Sequence, residues 1–321
     1  MKKRLRDLTN RVPAQRSPFS MKVQTGRRIA EDDLHERLLM GRMLANQICS
    51  HGIYENIQEA EFQVFSQFGD DGILQYLIGQ TLPSVEQFIE FGVQDYTESN
   101  TRFLLLNNNW SGLIIDGDPT NIEVVKRQPY YWRHDLRAVA QFVDRDNINT
   151  LFEAAGFSGD IGLLSIDIDG NDYWVWEAIH VVEPVIVTVE YNSVFGAEYA
   201  ITIPYDPTFH RTKAHFSNLF WGASLKALCL LAEKKGYDFV GSNSAGNNAH
   251  FVRKDKIGKI PVKTAAQGYA ESKFRESRNP EGEFTYLRGR QRIEAIKDMQ
   301  VIDVENNQTA FIKDLFHLNR I

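Results

Sequence analysis

Acidic side chains accompany four short apolar runs that are typical of buried strands. Glu90 belongs to the first run, Asp116 ends the second, Asp167 lies at the end of the fourth, and Glu190 lies at the end of the fifth. An acid at the end of a parallel strand can accept hydrogen bonds from the hydroxyls of a ribose. Neighbouring carboxylates such as Asp167 and Asp169 need a proton or a cation to balance their charge. The spacing therefore predicts a nucleotide-like ligand beside a proton-transfer or cation site.

The alternation of apolar runs between residues 61 and 254 predicts the elements that position these acids. Runs rich in Val, Ile and Phe alternate with stretches whose apolar spacing fits a helix. The predicted strands are 87–93, 112–115, 130–135, 161–168 and 184–191, then a hairpin of 237–241 and 249–253; the predicted helices are 99–107, 119–127, 147–156, 172–179 and 225–235. Such alternation is typical of an α/β fold whose parallel sheet is covered by helices on both faces. Ligands bind these sheets outside the carboxyl ends of the strands, where the acids lie.

Local structural roles remain open for several of these acids. Asp116 could cap the helix that follows it, and Asp169 or Asn171 could cap the helix that begins at residue 172. Glu190 could pair with a lysine or arginine elsewhere in the chain. Acidic or amide side chains at every strand end are hard to explain by packing, so we expect a shared site.

The composition narrows the class of protein and the kind of partner. The 321 residues carry a net charge of −6, which gives no support to a nucleic-acid partner. The two cysteines, Cys49 and Cys229, are too few for a disulfide framework or a cysteine zinc site and suit a reducing compartment. No apolar run approaches the roughly 18 residues that span a bilayer, and none follows the basic N-terminus as in a signal peptide. We therefore predict a cytoplasmic protein without a transmembrane segment.

Three segments depart from the alternating pattern. Residues 1–60 combine a basic arm over 1–30 with a predicted helix over 31–50, and residues 255–321 form a polar, irregular extension. The arm could fray, contact an anionic membrane surface or contact an oligomer partner, and the extension could wrap the core or help build a homo-oligomer. Residues 192–221 interrupt the sheet domain with a long loop rich in aromatic residues, which is typical of a lid.

Five segments carry a resemblance to a known family. They are 66–72 (SQFGDDG), 88–93 (FIEFGV), 110–118 (WSGLIIDGD), 164–170 (LSIDIDG) and 248–253 (NAHFVR). In order and spacing they resemble the class I S-adenosylmethionine-dependent methyltransferases, and more narrowly the FkbM-like group found near glycan and secondary-metabolite genes. The resemblance is specific for fold and cofactor rather than for the acceptor. It implies a Rossmann-like, doubly wound, mostly parallel seven-stranded sheet with a C-terminal β-hairpin, forming a methyltransferase domain over 61–254 between the two extensions.

The resemblance implies roles for the matching residues in binding S-adenosylmethionine. Glu90 and Gly92 would hold the methionine part, Asp116 the ribose, and Asp135 would lie near the adenine. Residues 67–71 would close over the cofactor. The implied cofactor-binding residues are Gln67, Asp71, Glu90, Gly92, Asp95, Asn100, Asp116, Gly117, Asp135 and Asp167.

The same resemblance places the acids of the fourth strand beside the transferred methyl group. Asp167 and Asp169 would take the proton from the acceptor, or would hold a divalent cation such as Mg²⁺ that lowers the pKa of a sugar hydroxyl. Glu190, Asn192 and His210 are further catalytic candidates. We therefore expect O-methylation of a small molecule or a sugar or glycan precursor.

Two other functions remain alternatives. A metal-dependent nucleotide-sugar transferase would use the Asp167-x-Asp169 spacing to hold a metal and a diphosphate. A non-catalytic scaffold of the same fold would explain why Gln94, Asp95 and Tyr96 follow Gly92, where the family has further glycines. A nicotinamide dehydrogenase is disfavoured because no G-x-G-x-x-G follows the first strand.

Overall fold

The computed structural model describes the backbone of residues 18–318 and the side chains of residues 33–318. The helix predicted over 31–50 begins earlier, at Pro18, and ends at His51 as α1. The first part of the basic arm, residues 1–17, lies outside the described residues. Within the described chain, no helix combines the length and the apolar character that crossing a bilayer requires.

Seven strands form one sheet in the spatial order β3-β2-β1-β4-β5-β8-β7. They are β1 Gln87–Phe91, β2 Ser111–Asp116, β3 Leu136–Ala140, β4 Gly159–Ile166, β5 Val182–Glu190, β7 Tyr237–Ser242 and β8 Asn248–Arg253. Neighbouring strands from β3 to β5 pair in parallel, and β8 runs antiparallel to both β5 and β7. The predicted Rossmann-like, mostly parallel seven-stranded sheet with its C-terminal hairpin is confirmed. The strand order reverses between β1 and β4, which is the place where such sheets bind ligands.

Helices cover both faces of this sheet. After α1 they are α2 Asp70–Thr81, α3 Pro119–Lys126, α4 Pro129–Arg133, α5 Ile148–Ala154, α6 Asp172–Ala178, α7 Arg211–Ala214, α8 Leu225–Lys235, α9 Ala265–Gly268, α10 Arg290–Ala295 and α11 Ile312–Leu315. The segment predicted to be helical at 99–107 contains a turn of π-helix over Leu104–Asn108. Local sequence explains the ends of α8, since the Ser224 side chain accepts from the third helical N–H and Gly236 leaves the helix at φ +85°.

Alternate residues of the central strands point into two separate hydrophobic layers. In β1, Phe88 packs into the layer that contains residues of α1 and α2. Its neighbours Ile89 and Phe91 pack into the opposite layer with residues of α5, α6 and α8. This two-residue alternation, with both faces buried, is what a doubly wound sheet requires.

The C-terminal extension is ordered, where the sequence indicated an irregular segment. Strand β6 (Ile201–Thr202), from the predicted lid loop, pairs with β9 (Gln300–Asp303), which pairs with β10 (Gln308–Phe311), giving a second, antiparallel sheet. A small third core joins Phe195 and Phe220 of the loop to Ile293 of α10. The 192–221 segment is therefore fastened to the C-terminal extension by both strand pairing and apolar contacts.

Candidate active site

A cavity of about 410 Å³ opens at the carboxyl edge of the parallel strands. This central cavity lies where the strand order reverses, and its volume is within the range of small-molecule sites. The structure brings eight of the predicted site residues into its lining: Gln67, Gly92, Asp116, Gly117, Asp167, Asp169, Glu190 and Asn192.

The turn after β1 has the backbone conformation of a glycine-rich turn, although it contains a single glycine. The φ angles are +79° at Gly92, +48° at Gln94 and +63° at Tyr96. A β carbon on Gly92 would lie 1.5 Å from the carbonyl oxygen of Asp167, so the ends of β1 and β4 approach closely only because Gly92 has no side chain. The left-handed conformation costs a non-glycine residue about 1–2 kcal/mol. Because the turn forms without the family's other glycines, their absence gives no support to the scaffold alternative.

Asp116 ends β2 with its carboxylate held by the surrounding backbone. Its Oδ2 accepts the Gln94 N–H at 2.7 Å, and its Oδ1 accepts the Asp118 N–H at 2.9 Å and Asn121 Nδ2 at 3.0 Å. A carboxylate offers about four acceptor positions, so these bonds leave room for one donor from a ligand. The residue that caps α3 is Asp118, which accepts the Thr120 N–H at 2.8 Å. The helix-capping alternative for Asp116 is therefore wrong.

The strand predicted over 130–135 is wrong. Pro129 begins α4 in this stretch, and β3 starts only at Leu136. Asp135 thus precedes β3 instead of following it, and its carbonyl accepts the N–H of Gly112 at 3.0 Å near the start of β2. This amino edge is opposite the central cavity, so Asp135 does not lie where an adenine was expected.

The residues that follow β3 line the central cavity in place of Asp135; they are Gln141, Phe142 and Val143. Together with Ile115 they give this side of the cavity apolar surface next to one side-chain amide. The sequence contained a signal for them, because apolar Leu136 and Ala138 alternate with polar Arg137, as in a short half-buried strand.

Two carboxyl groups, Asp167 after β4 and Glu190 at the end of β5, face the central cavity together. Burial, followed by the nearby charges of Asp169 and Asp172, raises the pKa of Asp167 well above its usual range. Burial, followed by the charge of Asp167, does the same to the pKa of Glu190. Burial and mutual proximity therefore favour the form of the pair in which one of the two carboxyl groups is protonated.

Asp169 pairs with an arginine that the sequence analysis did not single out. Its Oδ1 lies 2.7 Å from Nη1 of Arg211, whose guanidinium stacks 4.7 Å from the ring centre of Trp221. Arg211 also donates Nε to the carbonyl of Asn218 at 3.0 Å. This arginine comes from the 192–221 segment and places one positive charge at the edge of the acid cluster formed by Asp167, Asp169 and Glu190.

The proposed helix caps at the start of α6 do not form. Neither Asp169 nor Asn171 caps the helix; Asp172 itself accepts the N–H groups of Ile168 and Gly170 at 2.9 and 3.0 Å. Burial raises the pKa of Asp172 to about 6. The acids at 167 and 169 are thus free of a capping role.

The acid cluster has the donor set of a hard divalent cation. Oxygen atoms of Asp167, Asp169 and Glu190 all lie within 4.8 Å of one another. Glu190 Oε2 is also fully enclosed and has no hydrogen-bond partner among the described residues. Carboxylate oxygens are the ligands that Mg²⁺ and Ca²⁺ prefer, so the residues fit such an ion, with Arg211 as a competing positive charge.

Glu90, Asp95 and Asn100 line a second cavity of about 370 Å³, which shares Gln67, Gly92 and Asp167 with the central one. The carboxylate of Glu90 is largely used inside the protein. It accepts Ser99 Oγ at 2.6 Å, Thr101 Oγ1 at 2.5 Å and the Asn100 N–H at 2.8 Å, and burial raises its pKa. Glu90 therefore fixes the segment that forms the cavity wall.

Asp71 and Asn192 are held by structural partners, and His210 lies outside both cavities. Asp71 is buried beneath the 64–66 loop, where its Oδ2 accepts three consecutive backbone N–H groups at 2.7 to 2.8 Å. Asn192 accepts the Val194 N–H and donates to the carbonyls of Leu219 and Trp221, which fastens the 192–221 segment. His210 is exposed at the start of α7 and lines a neighbouring cleft of about 780 Å³.

The C-terminal extension adds cavity residues that lie outside the family resemblance. Ser272, Phe274, Glu276 and Arg292 all line the central cavity. No local motif marks them, because they reach the cavity only through tertiary packing, as where the Lys273 N–H donates to the carbonyl of Ala245 at 2.8 Å. With Arg211, Arg292 brings a second guanidinium group to the cavity.

No known protein family and no curated protein matches this sequence. Among solved structures, the N-terminal domain of EvdMO1 with SAH bound is similar at 11% identity, covering 59% of this chain and 80% of that chain with a TM-score of 0.39. PKMT2 from Rickettsia typhi in complex with AdoHcy is similar at 11% identity, covering 63% of this chain and 56% of that chain with a TM-score of 0.40. The O-methyltransferase from Bacillus cereus in complex with SAH is similar at 12% identity, covering 69% of this chain and 91% of that chain with a TM-score of 0.39. The strand order, and not these distant matches, establishes the Rossmann-like fold.

Proposed function

We propose that this chain is an S-adenosylmethionine-dependent methyltransferase that methylates a hydroxyl group of a small molecule or of a sugar or glycan precursor. The observation that carries the proposal is the Asp167–Glu190 pair, which faces the same cavity as Asp116 and the turn at Gly92. One cavity thus offers groups suited to a nucleoside next to groups suited to proton transfer.

Three features of the cavity favour this cofactor. The turn at Gly92 lets the backbone approach a ligand closely, and Asp116 retains one acceptor position for a ribose hydroxyl. Phe142 and Val143 offer apolar surface for a purine ring. The acids of the cavity also favour a ligand that carries a positive charge, as a sulfonium does.

The Asp167–Glu190 pair supplies the proton acceptor. S-adenosylmethionine, when bound, supplies a methyl group on a positively charged sulfur. The chain must align the acceptor hydroxyl with that methyl group and take its proton as the O–C bond forms and the S–C bond breaks. The member of the pair that lacks a proton accepts it, and its raised pKa makes it a stronger base than an exposed carboxylate.

The neighbouring cleft provides space for the acceptor. It adjoins the central cavity at Phe142, Asp169 and Arg211, and it also contains exposed Phe216 and His210. Its volume of about 780 Å³ allows an acceptor larger than one sugar ring. This arrangement favours a hydroxyl on an extended or branched molecule.

A cation-assisted form of the same reaction is the second candidate. The enclosed Oε2 of Glu190 and the clustering of three carboxylates favour it. A divalent cation held by Asp167, Asp169 and Glu190 would lower the pKa of the acceptor hydroxyl. The nucleotide-sugar transferase alternative retains only the Asp167-x-Asp169 spacing.

Calorimetric titration with S-adenosylhomocysteine tests the proposal, using Asp116→Asn beside the matched control Asp118→Asn. Both changes remove one acid of the same loop, but only Asp116 borders the cavity. We expect saturable binding by the wild type and the control, and at least tenfold weaker binding by Asp116→Asn. Absence of binding by the wild type would overturn the proposal, and binding of uridine diphosphate with Mg²⁺ instead would favour the nucleotide-sugar transferase.

A further inference from the structure

Arg292 is a buried arginine whose charge has no partner within the described protein. The residue is 8% exposed, and it lines the central cavity. Its Nε is fully enclosed and has no hydrogen-bond partner among residues 33–318. No carboxylate of those residues lies within ion-pair distance of the guanidinium, and burial lowers its pKa. A buried and unpaired charge destabilises a fold, so its presence calls for a ligand.

The position of Arg292 is fixed by its helix. The next residue of α10, Ile293, is buried in the third hydrophobic core, as is Ile296 one turn later. Arg290 lies on the outer face of the same helix and pairs with Glu294 at 3.1 Å. The helix therefore directs one arginine to solvent and holds the other against the cavity.

Arg211 is the second guanidinium at the cavity, and its surroundings differ. It is paired with Asp169, whereas Arg292 forms no ion pair with a described residue, and the charge of Glu271 only partly offsets the effect of burial on its pKa. The Arg211–Asp169 ion pair neutralises one of the five acids of the lining, so an anion near the arginines meets less repulsion than those acids alone would produce.

We propose that Arg292 binds an anionic group, a carboxylate or a phosphate, on the methyl acceptor. The planar fork of a guanidinium matches both groups with two parallel hydrogen bonds. This inference rests on the proposed function, because it assigns the two ends of the cavity to cofactor and acceptor. Helix α10 packs against Ser193–Phe195, which follows β5, while the cofactor features follow β1, β2 and β3. Arg292 therefore lies on the acceptor side.

Binding of charged and neutral sugars tests this site. Wild type, Arg292→Met and the control Arg290→Met are titrated with glucose 6-phosphate, glucuronate and glucose, each with and without saturating S-adenosylhomocysteine. We expect at least one anion to bind the wild type ten times more tightly than glucose. Arg292→Met should lose that preference, Arg290→Met should keep it, and all three should bind S-adenosylhomocysteine equally. The anion that binds distinguishes a phosphate from a carboxylate acceptor.

Equal affinity of the wild type for glucose and both anions would overturn the inference. So would a selective loss of S-adenosylhomocysteine binding in Arg292→Met, which would make Arg292 a cofactor residue. The wild type could bind the anion through Arg292 and yet bind no S-adenosylhomocysteine. That result would support the anion site and overturn the proposed function.

Thermal unfolding separates ligand binding from a structural role. Without ligand, Arg292→Met should have a Tm equal to or above the wild type, because it removes a buried unpaired charge. The tighter-binding anion should raise the Tm of the wild type and of Arg290→Met but not that of Arg292→Met. A Tm of Arg292→Met well below the wild type, restored by Arg292→Lys, would show a structural role and contradict the inference.

Discussion

Replacing Gly92 by alanine should separate the ends of β1 and β4 and disturb the turn that follows β1. The new β carbon would lie 1.5 Å from the carbonyl oxygen of Asp167 and 2.7 Å from its carbonyl carbon, far inside any contact distance. These are backbone atoms of the residue that follows β4, so no side chain can move aside. Overpacking of this kind costs about 1–3 kcal/mol, and the φ of +79° adds about 1–2 kcal/mol for a residue with a side chain.

We therefore expect Gly92→Ala to lower the free energy of unfolding by about 2–5 kcal/mol, measured by urea denaturation. At an m value of about 3 kcal/mol/M, the midpoint falls by roughly 1 M. Gly117→Ala is the matched control, since Gly117 lines the same cavity and its β carbon would lie 3.4 Å from Phe142. Its stability should stay within about 1 kcal/mol of the wild type. A Gly92→Ala midpoint equal to that of the control would refute the close approach of the two strand ends.

Three further outcomes follow from the acids and from Arg211. Asp167→Asn should lower turnover by about 10²–10⁴-fold. It should also move the acidic limb of the plot of kcat against pH to lower pH, because Glu190 loses a neighbouring charge that raises its pKa. An acidic limb that stays at the same pH would contradict the interaction between Asp167 and Glu190. Burial raises the folded-state pKa of Asp71 to about 6, so its contribution to stability is present below about pH 4 and is lost as the pH rises to about 6. The free energy of unfolding of the wild type should therefore fall by about 3 kcal/mol relative to Asp71→Asn over that window in urea titrations, and a constant difference would count against it. If Mg²⁺ binds the acid cluster, the Arg211→Met variant should bind Mg²⁺ about fivefold more tightly than the wild type in calorimetric titrations. The substitution frees the half-exposed Asp169 from an ion pair of about 1 kcal/mol. Weaker Mg²⁺ binding by Arg211→Met would show that Arg211 assists the cation.

The sequence by itself determined the order of strands and helices around most of the cavity. The runs that became β1, β2, β4 and β5 are apolar and bounded by turns, and both of their faces are buried, so local composition alone indicates a strand. Gly92, Asp116, Asp167 and Glu190 followed from that placement, because the carboxyl ends of parallel strands meet at one edge. The prediction of the third strand at 130–135 was wrong, because Tyr130–Arg133 has the aromatic side chains that are typical of a strand, whereas Pro129 begins a helix there.

Only the tertiary structure decided which polar groups remain available to a ligand. Asp71 and Asn192 look like site residues in the sequence. Backbone groups nevertheless occupy most of their hydrogen-bonding positions, those of residues 64–66 at Asp71 and those of Leu219 and Trp221 at Asn192. Arg292 shows the opposite case, since it resembles any surface arginine until α10 packs against the 192–221 segment and buries it. Hydrogen-bond partners and desolvation depend on contacts between residues far apart in the chain. The sequence therefore indicates which chemistry is present, and packing determines which groups are left to perform it.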